Sequence, residues 1–164
     1  MNTKDGIKYA LNLGQSVLAA YTEDLEDKDF LIQAVPGMNN IAWQIGHIIS
    51  TENSLMEAIK PGVSPELPEG FKENHSQDNA QKTSNDKYLK KEDYLNLFNS
   101  QRQATAKILD EMNDDDLEKD TPIEPMKSFA PKLGEAFMLQ GLHLVRHLGQ
   151  FVPVRKQCGK AVSI

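Results

Sequence analysis

Apolar residues recur at helical spacing in four separate stretches of the chain. From about Asp5 to Asp24, the positions Ile7, Leu11, Gly14, Leu18, Tyr21 and Leu25 follow at alternating steps of four and three, the repeat of one helix face. Ala10, Leu13 and Val17 widen that stripe, which predicts a bundle helix flanked by two neighbours. Val35-Pro36-Gly37-Met38 breaks the pattern, and Asn39 or Asn40 can cap a new helix after it. This second helix is predicted from about Ile41 to Ile59, with Ile41, Ile45, Ile48, Leu55 and Ile59 as its seam and Lys60-Pro61-Gly62 as its stop.

The third helix is predicted from about Lys91 to Met112, with Tyr94, Leu95, Phe98, Thr105, Ile108, Leu109 and Met112 on one broad face. Arg102 shares that face, and its stem is expected to pack while its head reaches water. Between the second and third helices, residues 61–88 are polar, rich in Pro, Gly, Asn, Ser and Gln, and without a period. This is a long crossover, and its His75 reads as a solvated loop residue. The last helix is predicted to start at Pro131 or Lys132. Pro153 removes the N–H that would reach the Gly149 carbonyl, so the helix is expected to kink or end there. Four amphipathic helices with one long crossover predict an all-α four-helix bundle, a single domain over residues 1–164.

The last helix carries the candidate chemistry. His143 and His147 are four residues apart and so stack on one face with their Cβ atoms about 6 Å apart, close enough to grip one ion. Phe137, Leu139, Leu142, Leu144, Val145, Leu148, Phe151 and Val152 spread apolar surface round the whole axis, which predicts burial. Buried imidazoles need partners: a metal ion, or Gln140, Gln150 and backbone carbonyls. On the second helix, His47 lies off the seam with Trp43, Gln44, Thr51, Ser54 and Ala58. That stripe suits either a cavity wall or a partly exposed face. His47 could supply a third nitrogen. Three imidazoles leave coordination positions free, as catalytic zinc sites do, and they also suit nickel, iron or copper.

Composition narrows the classes. With 18 Lys and Arg against 24 Asp and Glu the net charge is −6, and without a basic cluster a nucleic-acid partner is not expected. Cys158 is the only cysteine, which rules out an intrachain disulfide and suits a reducing cytoplasm. Asp5 and Lys8 stand where a secretory signal needs its apolar run. No stretch reaches the roughly 18 apolar residues of a membrane span, so a cytoplasmic protein without a membrane partner is expected. The acidic run at residues 113–116 reads as a solvated helix end, and there is no Gly-rich phosphate loop or Ser-based nucleophile motif. The fourth helix is apolar on more of its circumference than one bundle covers, which predicts a homodimer.

The pattern Trp43-Gln44-Ile45-Gly46-His47-Ile48, followed far downstream by His143-Leu144-Val145-Arg146-His147-Leu148-Gly149-Gln150, resembles the DinB-like superfamily of metal-binding four-helix bundles. The order and lengths of all four segments, and the Leu117–Pro122 turn before the last helix, match as well. The resemblance implies a triad of His47, His143 and His147 on a divalent metal, zinc or nickel ahead of iron or manganese, in a dimer. It also implies a small-molecule substrate. Characterised relatives look like metal-dependent thiol S-transferases using bacillithiol, mycothiol or glutathione, and a related domain sits in ergothioneine-forming sulfoxide synthases. On that reading Trp43 walls the pocket, while Glu52 accepts a hydrogen bond or proton behind the ligands, unless it is only a solvated Glu on the helix edge. Gln150 orients a ligand or water, unless it merely satisfies a backbone group. The competing expectations are a hydrolase that draws hydroxide from water at the ion, and a non-catalytic, metal-stabilised stress or interaction protein.

Overall fold

The structure is a computed structural model that describes residues 1–162. Among these residues the chain is all-helical: α1 (Thr3–Thr22), α2 (Ile41–Ile59), α3 (Phe71–Asn74), α4 (Lys91–Glu111), α5 (Asp114–Leu117), α6 (Glu124–Lys127) and α7 (Leu133–Gln157), with three short 3-10 turns between them. The starts follow local chemistry. The Asn2 side chain accepts from the Asp5 N–H and Asp5 answers in a capping box, while Asn40 caps α2 by accepting from the Trp43 N–H at 2.8 Å. The acidic run after Met112, read as a solvated helix end, is largely exposed and forms the capped first turn of α5, with Asn113 and Asp116 in reciprocal hydrogen bonds.

The four long helices form a closed ring of contacts. α1 packs chiefly on α7 and α2 on α4, with α2–α7 and α1–α4 contacts completing the circuit. The seam read from α1, from Ile7 through Leu25, is wholly buried. Small residues let α1 and α7 approach closely. A Cβ at Gly14 would lie 2.9 Å from Leu144 Cδ2, and one at Gly141 would lie 3.1 Å from the Ala10 backbone.

Two apolar clusters fill the interior. One gathers Leu18, Phe30, Ile45, Tyr94, Phe98 and Phe151, and the other Ile7, Leu11, Leu55, Ile108, Leu109 and Phe137. Along α2, α4 and α7 the residues between these clusters are buried and polar: Glu52 and Asn53, Gln101, Arg102 and Thr105, and Gln140.

Three sequence expectations change. Arg102 does not reach water; it is 4% exposed and faces Glu52. His75 is not solvated; it is 1% exposed, held beneath a connection that folds into α3 and two 3-10 turns instead of running free. And α7 does not end at Pro153 but continues to Gln157. The helix beyond Pro153 is pinned by buried Val154 and, with Phe151 before it, by the apolar core. Arg155 adds a tether: its guanidinium donates to the Tyr21 carbonyl at 2.6 Å and to both Asp24 oxygens at 2.6 and 3.2 Å. None of the described helices is long and apolar enough to cross a membrane.

Candidate metal centre

α2 and α7 bring His47, His143 and His147 together, with one ring nitrogen from each within 4.8 Å of the others. The ring centroids stand 4.7 Å apart for His143 and His147, 5.2 Å for His47 and His143, and 5.6 Å for His47 and His147. His47 and His147 are buried and His143 is half-buried, so the cluster opens on the His143 side. Trp43, one turn before His47, stacks flat on its ring at 4.8 Å with 7° between the planes. Its buried indole N–H has no partner among the described residues.

Each imidazole is oriented through Nδ1. For His147, Nδ1 meets Gln44 Oε1 at 3.0 Å, and the Gln44 amide is fixed because its nitrogen donates to the Asn39 carbonyl at 2.8 Å. Gln44 therefore presents an oxygen, and His147 Nδ1 must carry the proton. For His47, Nδ1–H donates to the backbone carbonyl of His75 at 3.1 Å. For His143, Nδ1 makes only a long 3.5 Å contact to Thr51 Oγ1, whose own proton goes to the Ile48 carbonyl at 3.0 Å. His47 and His147 thus keep a bare Nε2, and the Nε2–H of His143 donates to Nε2 of His147 at 3.0 Å.

Electrostatics keeps the three rings neutral. Burial, then the neighbouring rings and the charge of Arg146, pushes His147 down to about 3. Burial, His47, Arg146 and Arg102 push His143 down to about 4, and burial is also the main cause of the lowered pKa of His47. Yet His143 Nε2 and His147 Nε2 lie only 3.0 Å apart. In the metal-free protein one proton bridges them, and a cation taking its place would bind both nitrogens. Two Zn–N bonds at a tetrahedral angle span roughly 3.3 Å, so these two nitrogens already stand at ligand separation. His47 brings a ligand nitrogen to within 4.8 Å of theirs. The donor set therefore fits a divalent metal, with three neutral nitrogens and room for further ligands on the open side.

The remaining sequence candidates sit around this cluster. Glu52 is fully buried and turned toward α4, where Oε1 accepts from Thr105 at 2.6 Å and Oε2 faces Arg102 Nε at 3.2 Å, an ion pair off the hydrogen-bond axis. Burial pushes its carboxyl up against the pull of Arg102. Arg102 also donates to the Gln140 carbonyl at 3.2 Å, one turn before His143. Gln150 is half-buried one turn beyond His147, and among the described residues no hydrogen bond joins it to the three rings. Sequence reasoning missed Gln44 and Thr51 as orienting partners, although both share the His47 stripe. It also missed His75, whose only local signal was a glycine next to His47.

The fold and the cluster define a class: a helical bundle with a three-histidine candidate metal centre between facing helices. The family model described as the DinB superfamily matches residues 10–151, a span that runs from α1 into α7 and includes all three histidines. The chain belongs to the DinB superfamily. A comparison with curated proteins finds no match.

Proposed function

We propose that this protein is a divalent-metal enzyme that activates a low-molecular-weight thiol at His47, His143 and His147 and transfers it to an electrophile. The observation that carries the reading is the convergence of three neutral imidazoles, with one ring nitrogen from each within 4.8 Å of the others and two of the rings fixed at Nδ1 by an acceptor. A bound divalent cation, zinc or nickel ahead of iron or manganese, supplies positive charge that lowers the pKa of a thiol ligand.

The chain's own residues do the rest. Gln44 and the His75 carbonyl hold His147 and His47 in the tautomer that ligates through Nε2, and Thr51 lies against Nδ1 of His143. Trp43 covers His47, excludes water from that side and offers its free indole N–H to a ligand. Arg146 is exposed, and its charge reaches all three rings, so an anionic thiol is drawn to this face. Glu52 acts as a positioning residue through Arg102 and the Gln140 carbonyl, and Gln150 orients a ligand or water at the open side. The assembly is a homodimer that covers the α1–α7 face, where Tyr9, Leu13, Leu142 and Val145 are exposed. A reducing cytoplasm suits the single Cys158.

Metal content as purified, compared between the parent chain and His47→Ala, tests the ligand set. The thiol step is tested on cobalt-loaded protein, whose visible spectrum shifts when the right thiol is added. An unchanged spectrum across bacillithiol, mycothiol and glutathione refutes the step, and turnover of ester or amide panels without thiol would put hydrolysis in its place. Sedimentation as a monomer at micromolar concentration refutes the dimer.

A further inference from the structure

The connection between α2 and α4 carries a buried ring that the triad does not use. Both nitrogens of His75 are engaged: Nδ1–H donates to the Phe71 carbonyl at 2.7 Å, and Nε2 accepts from the Tyr94 hydroxyl at 2.7 Å. The Tyr94 oxygen in turn accepts the Leu89 N–H at 3.4 Å, so the ring ties together both ends of the segment and the first turn of α4. The ring is seated in a notch on α2. A Cβ at Gly46 would lie 2.1 Å from His75 Cδ2 and 2.3 Å from Nε2, a place no other residue could leave open. One residue on, the His75 backbone carbonyl accepts the His47 Nδ1–H at 3.1 Å. Position 75 therefore touches α2 twice, with its ring against residue 46 and its carbonyl on the candidate ligand at 47.

We infer that His75 is a positioning residue for the metal centre: its wedged ring sets the carbonyl that keeps Nε2 of His47 bare, so docking of the 61–90 connection and uptake of a divalent cation are coupled. The inference rests on the metal reading above. Its energetics come from linkage. Whatever displaces the carbonyl removes the orienting partner of one ligand, a change that typically costs about 10–100-fold in metal affinity. By reciprocity, a bound cation holds the connection in place by the same factor. If His75 merely filled space, losing its contacts would lower stability and leave affinity alone.

The experiment titrates cobalt into the metal-stripped parent, Gly46→Ala and Tyr94→Phe, and follows protease cleavage within residues 76–90 with and without cobalt. Gly46→Ala drives the His75 ring out of its notch while placing a better helix former in α2. Tyr94→Phe removes one oxygen and keeps the edge-on ring contact with His75. The expected result is cobalt affinity about 10–100-fold weaker in Gly46→Ala with an altered visible spectrum, a smaller loss in Tyr94→Phe, and slower cleavage of the cobalt-loaded parent. Parent affinity and spectrum in both variants, with only a lowered thermal midpoint, overturn the inference and leave the metal reading standing. A parent that takes up no cobalt overturns both. Should Gly46→Ala fail to fold, Tyr94→Phe and the protection of the parent decide it: cobalt that leaves cleavage of the parent unchanged overturns the coupling.

Discussion

Two buried polar assemblies lie within a few turns of each other, and they are built on opposite plans. In the Glu52–Arg102–Thr105 cluster, charge meets charge: the carboxylate faces a guanidinium at 3.2 Å and Thr105 donates to its other oxygen at 2.6 Å, although Glu52 Oε2 and Arg102 Nε and Nη1 make no hydrogen bond among the described residues. In the histidine cluster the rings are neutral, Nδ1 of His47 and of His147 is held by an acceptor, and the Nε2 atoms of His143 and His147 lie 3.0 Å apart. The first carries both charges within the protein. The second gathers neutral nitrogens and no charge. A buried pair of opposite charges serves the fold, whereas neutral nitrogens brought together from two helices leave a place for a cation from outside.

The sharpest way to break this contrast is to remove a partner from the closed assembly. Arg102→Ala strands a buried carboxylate, so chemical denaturation should show a loss of about 3–5 kcal/mol. His147→Ala should cost the metal-stripped chain far less, because no partner charge is left behind. Equal losses in the two variants would erase the distinction.

Acid probes the open assembly. His143 is held at about 4 in the folded chain against 6.5 for a free ring, so between those values the unfolded state binds more protons. Stability of chelator-treated protein should be complete above pH 6.5 and fall as the pH drops toward 4. At 1.36 kcal/mol per unit the loss is about 3 kcal/mol for one ring, and the neighbouring rings titrate as a coupled set. A flat thermal midpoint from pH 7 to 4.5 would contradict the buried, neutral triad.

Metal addition reads the same cluster from the other side. At one hundred times its dissociation constant, zinc or nickel should raise unfolding stability by about 2.7 kcal/mol in the parent and by far less in His147→Ala. The smallest effect is expected at the outer partners: Gln44→Leu should weaken metal binding by about 10–100-fold, measured by competition with a chromophoric chelator.

Much of the bundle could be read along the chain because its signals are local. Alternating steps of four and three along α1 name its buried residues, and Asn40 with Lys60-Pro61-Gly62 bracket α2 at the observed Ile41 and Ile59. His143 and His147 declare their shared face by spacing alone. What stayed hidden depends on partners distant in sequence. Glu52 and Arg102 lie 50 residues apart, and neither position predicts that each neutralises the other. His75 sits in a stretch without a period, and its burial depends on the notch at Gly46 and the hydroxyl of Tyr94. Pro153 misled for a similar reason, since the grip of Arg155 on Tyr21 and Asp24 carries α7 past a residue that locally argues for an end.

The close seating of α7 on α1 has a bearing on which ion the protein would favour. With Gly14 against Leu144 and Gly141 against Ala10, α7 has no slack to roll, so His143 and His147 form a fixed jaw. His47 stands on the other side, on α2, with its Nδ1 held by a carbonyl of the crossover. Adaptation to a larger or smaller cation, or to one that prefers a different geometry, would then fall to the α2 side, and natural or engineered changes in ion preference should gather at residues that seat the crossover.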